Sequence, residues 1–222
     1  MDGRKYCLTQ ISTEPINAIA NISGCLQGSC LTARSLLELP ERIDQRRSRI
    51  YSAKLTFDGP EYDFPEQCCI KIAYGDQEYR DLDREYDYYS LELQSLGGIA
   101  VPRCYGFFGA EIEGVLVGCL VMDLCIGTDV ILPDYAEFKR RIMMAICKLH
   151  SVGIEHGNLF ADYRHYVMNS WSVLIVDFSA ARRHNCPGLQ SVGGCDELIQ
   201  AERLFGDNKF GVLSTFPRTW YV

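Results

Sequence analysis

The chain has 222 residues and a net charge of −7, with 47% hydrophobic and 23% charged side chains. That length suits one domain or one two-lobed unit with a well-buried core. The acidic balance argues against nucleic acid or an anionic membrane surface as the main partner. The longest apolar run, Val115 to Met122, is interrupted by Gly118 and too short to cross a bilayer.

Eleven cysteines would suit a secreted disulfide framework. Met1 to Gln10, however, lacks the apolar core of a secretory signal. The cysteine count is odd, no CxxC pair occurs, and Cys68, Cys69, Cys119 and Cys147 sit inside apolar runs. Free thiols in a cytoplasmic protein are expected. A zinc site from His184, Cys186 and Cys195 is the minority reading of the last cysteines.

Residues 1–30 show weak periodicity and are expected to form an N-terminal extension. A short helix is placed near Thr32 to Leu39. Arg49 to Leu55 alternates as a strand, and Asp58-Gly59-Pro60 marks a turn. Cys68 to Tyr74 is a dense apolar strand with one cation, Lys71. Such a lysine usually marks an edge or a snorkelling side chain. The functional alternative is a phosphate-binding lysine held by a glutamate.

Tyr79 to Leu96 reads as a helix, with Leu82, Tyr86, Tyr89, Leu93 and Leu96 on one stripe and Glu85 beside it. Gly97-Gly98 ends it. A loop then feeds a strand within Ile99 to Phe108, Glu111 to Gly114 turns, and Val115 to Met122 returns as a buried strand. Asp123 to Asp134 is a connector. Tyr135 to Val152 is an amphipathic helix whose Lys139-Arg140-Arg141 run is a solvated face. After Gly153, a polar loop around His156 leads through a hairpin to an apolar strand, Val173 to Val176, ending in Asp177-Phe178-Ser179. A last helix is expected over Cys195 to Phe205, with Asp196 and Glu197 in its first turn.

The stretch Leu149-His150-x-x-Gly153-Ile154-x-His156-Gly157, followed twenty-one residues after His156 by Asp177-Phe178, resembles the catalytic and metal-binding segment of the protein-kinase-like superfamily. It is most similar to small divergent fungal kinase-like proteins. The resemblance runs from about Leu36 to Phe205. It implies an α+β, two-lobed fold: a five-stranded antiparallel N-lobe with one helix over residues 31–124, and a truncated, mainly helical C-lobe over residues 125–222. It implies roles as well. Lys71, held by Glu85, would neutralise the phosphates of ATP. Met122, Asp123 and Cys125 would line the hinge beside the nucleotide, and Asp177 would hold magnesium.

Four departures weaken the chemistry. Asn158 stands where the family has its catalytic aspartate after His156-Gly157, and an amide cannot accept a proton as a carboxylate does. His165 replaces the asparagine that holds a second metal. Gln45-Arg46-Arg47-Ser48 replaces the glycine-rich phosphate loop, so side chains meet the phosphates instead of backbone amides. Ser179 replaces the glycine after Asp177-Phe178. Moreover, no Ala-Pro-Glu motif follows Ser179.

Three functions compete. A pseudokinase, acting as a binding or regulatory module on a protein partner, is preferred. The alternative enzyme is an atypical phosphotransferase in which Asp162 substitutes as base toward a protein or small-molecule hydroxyl. A purely structural domain is the third. ATP and Mg²⁺ are expected to bind weakly or not at all.

Overall fold

A computed structural model describes residues 5–14, 18–26, 29–38, 49–58, 66–125, 135–161, 163–168, 172–189 and 194–206. For residues 5–14, 18–26, 29–38, 55–58, 135, 163 and 168 the backbone alone is described. The fold is α+β. The chain divides into two compact units, residues 1–94 with 102–124, and residues 95–101 with 125–222.

The first unit is built on a sheet of seven strands: β1 (Lys5–Glu14), β2 (Ala18–Leu26), β3 (Ser29–Glu38), β4 (Arg49–Asp58), β5 (Gln67–Tyr74), β6 (Cys104–Ile112) and β7 (Val115–Asp123). The order is β1-β2-β3-β4-β5-β7-β6, closed by a parallel pairing of β1 with β6; the remaining neighbours are antiparallel. The five-stranded sheet expected from sequence is therefore too small. Residues 5–14 and 18–26, assigned above to an extension, pair into this sheet, and β3 replaces the helix expected near Thr32. The register shifts between Leu8 and Gln10 and between Ser12 and Thr13, and again between Arg34 and Leu37. Each shift breaks the two-residue period by which a strand is recognised.

β5 is central, hydrogen-bonded to β4 on one side and β7 on the other. Residues 68–73 are all buried, so both faces of the strand are covered and alternation disappears. On one face Cys68, Ile70 and Ile72 join Tyr51, Tyr105, Phe108, Val117, Cys119 and Val121 in the core. Lys71 alternates to the other face. The helix α1 (Asp76–Ser90) starts directly after β5 and packs on β5, β6 and β7. It begins three residues earlier than expected: Gly75, at φ 97°, turns the chain out of β5, and Asp76 and Glu78 suit the first turn. It stops at Ser90, ahead of a short 3-10 turn at Gln94–Leu96. Tyr79 and Tyr86 of α1 meet Phe107 of β6 at ring-centre distances of 5.3 and 5.7 Å. Gly109 and Gly118, opposite each other on β6 and β7, leave the space that Tyr79 fills.

Among its described residues the second unit has two α-helices, α2 (Tyr135–Ser151) and α3 (Asp196–Phe205), and four short strands: β8 (Ile154–Glu155), β9 (Tyr166–Met168), β10 (Val173–Ile175) and β11 (Arg182–Arg183). β9 and β10 form a hairpin; β8 pairs antiparallel with β11. Ile142, Ala145, Ile146 and Leu149 give α2 its buried stripe, and Leu198, Ala201 and Phe205 that of α3. α2 packs on α3, β8 and β10. On its outer side Arg140 and Arg141 both pair with Glu137, the solvated face expected there. No helix among the described residues is long and apolar enough to cross a membrane.

Candidate functional site

In the first unit, Lys71 and Glu85 are 3% and 2% exposed, and Lys71 Nζ lies 2.7 Å from Glu85 Oε2. The edge or snorkelling role for this lysine is excluded, because β5 is central and the ammonium is buried. The direction follows from the strand's alternation: with Ile70 and Ile72 committed to the core, Lys71 faces the helix that the chain forms next. Glu85 sits on α1 one residue before Tyr86, so the buried stripe of the helix carries it to the same neighbour. Two lone buried charges would be costly; together each compensates the other.

Met122 is buried near the end of β7, across from Cys69 and Cys104. Asp123 closes the strand end. Its carboxylate accepts the Tyr105 hydroxyl and, at 3.0 Å, the backbone N–H of Arg103, while its own N–H donates to Arg103 O at 2.9 Å. Burial, followed by this hydrogen bond, raises the Tyr105 phenol above its ordinary range. Cys125 belongs to the second unit, in an apolar cluster with Val167, Leu174 and Val176.

The second unit assembles the remaining residues around His156. Gly153 (φ 77°) ends α2, its N–H donating to His150 O at 3.1 Å, and β8 then runs along β11. The chain turns again at Gly157 (φ 78°), where an added Cβ would lie 2.5 Å from Ala180 O. His156 is fully buried. Its Nε2 donates to Val176 O at 3.0 Å, which leaves Nδ1 as the unprotonated nitrogen, without a hydrogen-bond partner among the described residues. Burial pushes the imidazole down to about 4; His165 pushes the same way, against the Val176 bond, Glu197 and Asp177. The ring is neutral at pH 7.

His165 is 5% exposed, with its ring centre 5.1 Å from that of His156 and its Nε2 3.5 Å from Asp177 Oδ2. Asp177 follows β10 with φ 67° and ψ 75°, a left-handed conformation that costs a non-glycine residue energy and gathers at functional sites. Asn158 is half-buried in the turn, its carbonyl accepting the Ala161 N–H at 3.2 Å. The structure thus brings Lys71 to Glu85, and His156 to His165 and Asp177. Asp162 and Gln45 to Ser48 lie outside the described residues.

One residue at the centre of this arrangement escapes sequence reasoning. Glu197, in the first turn of α3, accepts hydrogen bonds from His156 N at 3.0 Å, Gly157 N at 2.9 Å and the His150 ring at 2.9 Å. Burial alone would raise its carboxyl. The bonds from His150, His156 and Gly157 outweigh that and hold it below the usual range. Its place in a helix first turn is legible; its partners, at least 40 residues away along the chain, are not.

The eight cysteines whose side chains are described are free thiols. Burial pushes Cys68, Cys104 and Cys119 up to about 12, so they are inert packing groups. Compared with known proteins, the chain matches no family model, and no curated protein matches it.

Proposed function

We propose that this chain is a kinase-like protein with impaired chemistry, a pseudokinase that works as a binding or regulatory module on a protein partner in the cytoplasm. The observation that carries this reading is the buried Lys71–Glu85 pair, linking a central strand to the helix that follows it. Further support comes from the tight turn at Gly157 and the left-handed Asp177 placed beside His165. Lys71 is the residue that would face phosphates, and Asp177 the one that would hold a metal.

The same residues argue against turnover. The Asn158 side chain has no basic oxygen to accept a hydroxyl proton. The group 3.5 Å from the Asp177 carboxylate is an imidazole nitrogen, whereas magnesium requires oxygen ligands. The residues therefore fit a magnesium nucleotide poorly, and ATP binds weakly or not at all.

A thermal-shift titration tests this. A ligand at about a hundred times its Kd stabilises by roughly 2.7 kcal/mol. For this length that would raise Tm by roughly 5–11 °C. The expected shift at millimolar ATP is far smaller, with little added by magnesium. A full shift that needs magnesium and vanishes in Asp177→Ala would overturn the reading in favour of an ATP-dependent phosphotransferase.

A further inference from the structure

The second unit holds a cluster that the kinase-like reading does not use. His150, His184, Cys186 and Cys195 each offer one ligand atom, and these atoms all lie within 4.8 Å of one another. They come from three segments: the end of α2, the stretch after β11, and the residue before α3. We propose that His150 Nδ1, His184 Nε2, Cys186 Sγ and Cys195 Sγ form a structural zinc site.

The spacing fits. Zinc takes Zn–N bonds of about 2.0–2.1 Å and Zn–S bonds of about 2.3 Å in a tetrahedron, whose N···N and N···S edges are then roughly 3.3 and 3.6 Å. His150 Nδ1 lies 3.0 Å from His184 Nε2 and 3.6 Å from Cys195 Sγ.

Proton placement points the same way. His150 Nε2 faces the Glu197 carboxylate at 2.9 Å, and an ionised carboxylate only accepts, so Nε2 carries the hydrogen. Nδ1 of His150 is then bare. His184 Nδ1 lies 3.7 Å from the Glu155 carboxylate, which is itself held by Arg182, so His184 is free to present Nε2 as a lone pair. The bare Nδ1 of His150 lies 3.0 Å from that Nε2, beside two sulfurs. A cation is the partner that suits all four atoms. The Glu197 carboxylate behind the His150 ring is the usual outer shell of a zinc histidine, fixing tautomer and ring orientation.

Binding Zn²⁺ would displace one proton from each thiol to solvent, leaving two thiolates and a neutral centre. With four protein ligands no position stays open for water or substrate, so the site is structural. Its value to this unit is clear. Its described residues form two helices and strands of two or three residues, and a metal joining three segments would add folding energy to them. It also fixes the ring of His150, which holds Glu197, which in turn holds the backbone of His156 and Gly157.

The test is the metal content of the full chain, purified without chelator and with thiols kept reduced. About one zinc per chain is expected, lost in Cys186→Ser and in Cys195→Ser and kept in Cys147→Ser, whose exposed thiol lies outside the cluster. Cobalt exchange should give the intense visible bands of a tetrahedral site with thiolate charge transfer. Should the serine variants fail to fold, His184→Cys keeps four ligands and should raise the charge-transfer intensity by about half, three thiolates replacing two. A folded chain that holds below roughly a tenth of an equivalent of zinc and takes up none when it is added would overturn the proposal. So would a cobalt spectrum without thiolate bands, or equal zinc in the Cys195→Ser chain. Nucleotide titration plays no part in these readouts.

Discussion

Among the described residues each unit buries one carboxylate, and the two handle it differently. Glu85 pairs with a buried cation on a neighbouring strand. Glu197 gathers donors from one ring and two successive backbone N–H groups. The difference decides what can be replaced. A side-chain pair can be exchanged as a unit, because both partners leave together. A carboxylate that satisfies backbone groups cannot, because the backbone donors remain whatever the side chain becomes. The first arrangement can be replaced as a unit; the second ties the loop's shape to one residue.

The sharpest way to break this comparison is Glu197→Ala. Three donors, two of them buried and the Gly157 N–H partly so, lose their acceptor, at about 1–3 kcal/mol each. A loss of roughly 3–6 kcal/mol is expected, which is comparable to the whole stability of many domains. Urea unfolding followed by tryptophan fluorescence measures it. A cost under about 1 kcal/mol would show that the loop holds without this residue.

The next effect is a cycle on the first unit. Lys71→Met or Glu85→Leu alone breaks a buried ion pair and should cost about 3–5 kcal/mol. The double substitution should recover most of that, since a well-packed apolar pair is often neutral in place of a buried ion pair. Additive losses in the double variant would mean that the pair's other contacts carry its weight, and the contrast with Glu197 would fail.

The two units also differ in how much their sequence disclosed. Strands β4, β5 and β7 and all three helices were legible, because each shows an unbroken apolar run or stripe of sufficient length. The sheet before Arg49 was not, since bulges in β1 and β3 interrupt the two-residue period. Lys71 with Glu85 was legible as a pair only through the kinase-like resemblance; the residues alone suggest an edge or snorkelling lysine. The Glu197 hub was not, because its acceptor and donors are joined only by the folded chain. The zinc cluster was half-visible: His184, Cys186 and Cys195 lie close in sequence, but without CxxC spacing. His150, which completes the set, had been absorbed into the Leu149-His150 resemblance.

The smallest effect concerns pH, and it isolates His156. The imidazole is held at about 4 against an ordinary 6.5, chiefly by burial, with His165, Asp177 and Glu197 as the charged groups around it. Between those values the unfolded chain binds a proton that the folded chain refuses, so stability rises with pH there. The contribution is complete above 6.5, is lost as pH falls toward 4, and levels off below. At pH 5.5, one unit under the ordinary value, the loss is about 1.4 kcal/mol. His156→Gln keeps a donor for Val176 O and removes the titration. Carboxylates elsewhere, and any bound metal, titrate alike in both chains, so the difference between their stability profiles reports this ring alone. Melting curves from pH 7.5 to 4.5 should converge as pH falls, the histidine chain losing the more. Parallel profiles would mean that the buried ring accepts its proton without cost, and that the Nδ1 left bare inside this unit is already served by water.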